Sequence, residues 1–252
     1  MKLKILICVV LIVSIFCSVC GCTESFSQYI ESLDTYKKDG VTYERHYNND
    51  EKFYTVIFVT GLDGNRDVIY IPDEIDDGRV IGVRSTWIRV VAVERIYFPW
   101  SIQISPVGNI YYTKDEKTTT KYIISASTAT LIDTNWSKTF AIPKILYDEY
   151  VKTENDPEKN IIPANISYMF NYDGAPNEKY YFVDLIEESG KLTKPPYDPK
   201  RTGYDFKGWY KESECINEWN FDTDIVTIEY DENGERIYEE ICLYAKWMRK
   251  FY

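Results

Sequence analysis

Histidine occurs once in the 252 residues and methionine three times, and cationic side chains are outnumbered, 29 Lys plus Arg against 40 Asp plus Glu. One histidine cannot furnish a set of imidazole ligands, and no spacing of cysteines with it makes a structural zinc site. His46 lies in the polar segment Tyr43-Glu44-Arg45-His46-Tyr47-Asn48-Asn49-Asp50, which reads as an exposed turn, with no nucleophile elbow elsewhere to serve it. A net charge of −11 repels phosphate backbones and gives nucleic-acid binding no electrostatic support. Neither the Walker nor the dinucleotide glycine pattern occurs, so no cofactor is indicated. Leucine is scarce, seven after residue 21, whereas tyrosine reaches 23 and Ile and Val are frequent. That balance favours strands over helices, and the length allows one large or two ordinary domains.

At the N-terminus Lys2 and Lys4 precede sixteen uncharged residues, Ile5 to Cys20. A spanning helix needs about 20 apolar residues, so the stretch is short for a permanent span and has the plan of an export signal. Its exit, Val19-Cys20-Gly21-Cys22, resembles the bacterial lipobox. That resemblance implies cleavage after residue 21 and lipidation of Cys22. It makes 1–21 a lipoprotein signal peptide and anchors the chain to the extracytoplasmic face of a bacterial membrane, at the cell surface. Two or three acyl chains are needed for stable anchoring, at roughly 0.8 kcal/mol per buried methylene. Residues 22–39 are polar without an apolar period and are expected to be a tether.

From residue 40 to 163 the pattern is short β-branched and aromatic runs between turn residues. Ile69-Tyr70-Ile71-Pro72, Ile96-Tyr97-Phe98-Pro99 and Phe140-Ala141-Ile142-Pro143 share one form, with a proline ending each strand because it has no amide hydrogen for the ladder. Together with Asp39-Gly40-Val41-Thr42-Tyr43, Val68 to Ile75 and Gly78 to Val83, these segments resemble the surface leucine-rich repeats of bacterial exported proteins, with Ile, Val and Trp in place of the leucines. The resemblance implies a degenerate repeat region of stacked units; a plain β-rich domain with recurrent strand–proline is the alternative. The charged stretch Asp148 to Asn160 reads as a helix end and a linker, which puts a boundary near Pro163.

The last part, 164–250, carries denser signals. Ile166 to Tyr172 and Tyr180 to Ile186 flank a turn, Lys194 to Pro199 must be an extended crossing, and Asn233-Gly234 marks a second turn. Gly203-Tyr204-Asp205-Phe206-Lys207-Gly208-Trp209-Tyr210, then Cys215, Trp219 and Phe221, and the closing Leu243-Tyr244-Ala245-Lys246-Trp247 resemble the Listeria–Bacteroides repeat. Relatives of that repeat have a compact β-grasp-like fold, so the whole chain is expected to be mainly β: a short leucine-rich-repeat-like region followed by a β-grasp-like module. Gly203 and Gly208 would permit tight turns, and Trp209, Trp219, Phe221 and Trp247 would carry the core, or else form a sugar-stacking platform. Alternation puts Leu243, Ala245 and Trp247 on one face of the last strand and Cys242, Tyr244 and Lys246 on the other.

With the signal removed, Cys22, Cys215 and Cys242 remain, so Cys215 and Cys242 are expected either to pair as a disulfide or to stay free thiols. Asp73 to Asp77 and Asp222-Thr223-Asp224 read as solvated acidic turns or weak calcium sites, without EF-hand spacing. The expectation that follows is a non-catalytic surface lipoprotein that binds a protein partner. A carbohydrate-binding module with exposed Trp and Tyr is the second reading and a cell-envelope hydrolase the third.

Overall fold

The computed structural model describes residues 32–39, 41–48, 53–63, 67–75, 78–89, 93–102, 104–107, 111–112, 121–128, 139–153 and 160–251. The protein is mainly β, with three sheets and, among the described residues, one α-helix. Strands β1 (Ser32–Lys38), β2 (Val41–Asn48) and β3 (Phe53–Asp63) form an antiparallel meander. Part of the stretch expected as a tether is therefore a strand: Lys38 stands opposite Val41, and Asp39 takes φ 51 in the turn between them. The turn expected around His46 is likewise strand, since His46 is paired with Leu33 on one side and Val56 on the other. A polar run can pair in this way because ladder bonds use only backbone groups.

Beyond β3 the chain alternates between two sheets. Strands β4 (Val68–Tyr70), β7 (Arg95–Phe98), β10 (Tyr122–Ser125), β11 (Thr139–Ile142) and β12 (Ile161–Pro163) form one sheet, all parallel and in chain order. The intervening β6 (Gly78–Arg89), β8 (Ile104–Val107) and β9 (Tyr111–Tyr112) join β3 in parallel in the other sheet, where β5 (Glu74–Ile75) edges β6 antiparallel. Ile69, Ile96, Ile123, Phe140 and Ile161 occupy one register row across the five-stranded sheet, the first three spaced 27 residues apart. These side chains face inward and pack with Ile71, Val80, Phe98, Ile142 and Leu146. Buried serines at the corners are satisfied: Ser101 Oγ donates to Val80 O at 2.6 Å and Ser127 Oγ to Ile102 O. The helix α1 (Lys144–Thr153) buries Leu146 and Tyr150 after Pro143 ends β11. Two members of the row, β10 and β12, extend what the three strand–proline segments indicate in the sequence.

Only Ala164 and Asn165 separate β12 from the next sheet, which comprises β13 (Ile166–Met169), β14 (Tyr180–Asp184), β15 (Tyr204–Tyr210) and β16 (Ile241–Arg249) in the order β14-β13-β16-β15. The central pair β13–β16 is parallel and the outer pairs are antiparallel, the strand order of a β-grasp. An extended segment, 185–203, crosses this sheet, with Leu192, Pro195 and Pro199 buried. Tyr168 Oη donates to Thr193 O at 3.2 Å and Tyr181 Oη to Tyr197 O at 2.8 Å, pinning the crossing. Trp209, 1% exposed, meets Tyr168, Tyr181 and Phe206 at centroid distances of 5.0, 5.8 and 5.1 Å.

Two glycines are required here by backbone geometry. Gly203 sits at φ +79 in open space, whereas Gly208 sits at φ +110, farther from the left-handed well, at a bulge, where an added Cβ would also have to displace the exposed Glu218 carboxylate, 2.8 Å away. Gly203→Ala is expected to cost about 1 kcal/mol and Gly208→Ala about 2–3 kcal/mol. Urea unfolding followed by tryptophan fluorescence measures both, and equal losses would refute the ranking.

Candidate functional site

Parallel sheets are normally covered on both faces, and alternation in the five-stranded sheet sends a second row of apolar side chains outward. Tyr97, Tyr122, Ile124 and Ala141 lie on this outer face, with Val68, Tyr70 and Ile162 half-buried beside them. Strand β14 and the residue after it lie over this face, bringing Tyr180, Phe182, Val183 and Leu185 into the same cluster. Tyr97 stacks on Tyr70 at 4.7 Å and on Phe182 at 5.2 Å, so three rings continue across the junction.

A charged group is enclosed within this contact. Asp184 is 6% exposed; its Oδ1 accepts from Tyr97 Oη at 2.7 Å and from the Leu185 backbone N–H at 2.7 Å, and lies 3.5 Å from Arg95 Nη1. Arg95 Nη1 also donates to Leu185 O, and the guanidinium lies over the Tyr122 ring. Burial pushes the Asp184 carboxyl above the ordinary range, although Tyr97, Leu185 N–H and Arg95 all oppose the shift. Burial and then the Asp184 carboxylate push the Tyr97 phenol far up, which keeps it a donor. At the rim, the hydroxyl of Tyr122 donates to Glu187 and holds that carboxyl below its usual range, with Lys121 Nζ at 3.1 Å completing the group. Asn177 spans the other end: its Nδ2 donates to Ala126 O at 2.7 Å and its Oδ1 accepts from Thr128 N and Oγ1 at 2.7 Å.

Beside the junction opens a small, shallow cleft, whose lining includes Tyr70, Asp73, Trp100, Tyr181, Phe182 and Tyr197. Trp100 Nε1 donates to Asp73 Oδ2 at 2.9 Å, and burial raises the Asp73 carboxyl. Trp100 is also engaged by Phe170 edge-on at 5.3 Å and by the Arg79 guanidinium at 5.0 Å.

The signature residues gather in the grasp-like module. Trp209, Trp219, Leu243 and Ala245 are buried in its core, with Phe206, Phe221 and Trp247 half-buried against them. Tyr210 is buried next to Trp209, Tyr204 lies under the Arg201 guanidinium at 3.7 Å, and Tyr244 is half-buried on the opposite face of β16 from Leu243. Trp247 Nε1 donates to Phe170 O at 2.6 Å. Cys215 and Cys242 are free thiols. Asn171 Nδ2 donates to Cys215 Sγ at 3.3 Å, while burial and then Glu240 push the Cys242 thiol up to about 11. Among the described residues no three His, Cys, Asp or Glu side chains converge to hold a metal ion, and no helix is long and apolar enough to cross a membrane. Cys22 and Trp136 lie outside the described residues; Trp87 is in β6.

Sequence reasoning missed Arg95, Tyr97 and Asp184 as a group. The available signal is Asp184 inside the apolar run Tyr180 to Ile186, an acid where a buried strand should have none.

Residues 166–246 match the model of the Listeria-Bacteroides repeat domain. A protein of Evansella cellulosilytica named "Putative membrane protein" is 35% identical over 66 residues, 26% of this chain. The chain covers 7% of that relative's length.

A carboxyl raised in the folded state above its unfolded value adds stability that is complete below the unfolded pKa and lost as pH rises through the folded one. Replacing Asp184 by Asn removes that titration. The unfolding midpoint of the wild type relative to Asp184→Asn should therefore shift in the wild type's favour as pH falls from 7 towards 4. A pH-independent difference in a thermal-melt series would contradict the raised carboxyl.

Proposed function

We propose that the protein is a non-catalytic bacterial surface lipoprotein, anchored through acylated Cys22, whose β modules bind a protein partner. The observation that carries the reading is the match of residues 166–246 to the Listeria-Bacteroides repeat domain, which suggests a surface repeat protein. The relative named as a putative membrane protein is consistent with a membrane-associated chain. The parallel strands β4, β7, β10, β11 and β12, in chain order, support reading residues 40–163 as stacked leucine-rich-repeat-type units joined at 164 to the grasp-like module. Residues 1–21 would be the export signal, and the extracytoplasmic face the location.

Among the tryptophans of known environment, Trp209 and Trp219 are buried and Trp100 and Trp247 are engaged internally. This arrangement favours a protein over a polysaccharide partner, because no planar exposed row of rings is formed by these four. Feeding an alkyne fatty acid to a bacterial host expressing the full chain should label the wild type and leave Cys22→Ala unlabelled. Cells displaying the chain should adhere saturably to immobilised matrix protein. Adhesion to polysaccharide alone, abolished by replacing Trp87 or Trp136, would refute the protein-partner reading.

A further inference from the structure

The outer face of the parallel sheet is the surface a stacked-coil protein would ordinarily offer to a ligand. Here Tyr97, Tyr122 and Ile124 on that face are packed under Phe182, Val183 and Leu185 of the following module. We infer that the Listeria–Bacteroides-type module is the built-in occupant of this face, a cover held shut by Arg95, Tyr97 and Asp184, so that an external partner meets the protein with the face closed.

Three observations carry this. The contact is apolar at its centre and polar at its rim, the anatomy of a protein–protein interface, with Lys121–Glu187 on one side and Asn177 with Ala126 and Thr128 on another. Its polar groups are paired across the junction: Arg95 and Tyr97 come from β7, Asp184 and Leu185 from β14 and the residue after it. The connection leaves no slack, since Ala164 and Asn165 are both buried and both bonded. Ala164 O accepts from Tyr238 Oη at 2.7 Å, Asn165 O accepts from Ile241 N at 2.9 Å, and the Asn165 side chain makes two bonds to the Ile186 backbone. A cover attached in this way cannot swing aside on a hinge; opening has to break the junction itself.

The inference is independent of the anchor and of the partner's identity, and it is tested on the full chain by hydroxyl-radical footprinting with mass spectrometry. In the wild type, Tyr97, Tyr122 and Phe182 should oxidise slowly. Removing the charged acceptor with Asp184→Asn, or only the hydroxyl with Tyr97→Phe, should raise the open population and the oxidation of Tyr122 and Phe182 together, by about tenfold. Ile96 and Ile123 in the coil core and Trp209 and Leu243 in the module core should keep wild-type rates. Unchanged Tyr122 and Phe182 in both variants would show that the trio does not hold the cover. A parallel rise at Trp209 would show that it serves the module's own fold instead. The Tyr97→Phe variant decides the matter if Asp184→Asn does not fold.

Discussion

A parallel sheet with apolar side chains on both faces cannot leave one face wet, and the fold is organised around that constraint. The inner row from Ile69 to Phe140 is buried against the sheet that contains β2 and β6. The outer row is buried by β14 and, among the described residues, packs against no second sheet of residues 40–163. Both core clusters that involve the module reach Trp100 and Phe182, so the module's interior and the junction share side chains. Covering the face also encloses a carboxylate. Because an isolated buried charge is costly, Arg95, Tyr97 and the Leu185 amide are needed to make Asp184 tolerable there.

Left open, the outer face of the parallel sheet would expose tyrosine and isoleucine side chains to any passing apolar surface. With the module seated, the described exterior is polar and acidic with scattered apolar residues such as Ile216, Ile225 and Tyr230. Such a surface keeps copies apart and leaves specificity to local features rather than to general stickiness.

The module was legible in the sequence because its signals are local. Glycines that need positive φ flank aromatic strands, and the alternation along Leu243, Ala245 and Trp247 gives the buried face directly. The two-sheet region before residue 164 was only partly legible. Ile69 and Ile96 announce a 27-residue spacing, but the third member, Ile123, sits in Tyr122–Ser125, which lacks the closing proline that marks its neighbours. Of the junction, the sequence shows only an acid, Asp184, inside an apolar run, and nothing of its partners. Whether Asp184 points to solvent or to an arginine 89 positions earlier depends on how two sheets meet, and no periodicity within either segment encodes that. Strand β1 was hidden for a related reason: its pairing with β2 is a matter of backbone bonding, and its polar side chains carry no apolar pattern.

The first and last strands of the module, β13 and β16, lie side by side and parallel at the centre of its sheet. The module's entry and exit are thus at opposite ends of one hydrogen-bonded pair. Tension drawn between the module's two ends would run along both strands, loading the bonds from Ile166–Ile241 to Met169–Tyr244 in shear. Bonds loaded in shear share the force and must yield together, whereas a hairpin pulled at its open end unzips one bond at a time. The parallel pairing therefore lets the module's sheet resist being pulled apart by its two ends.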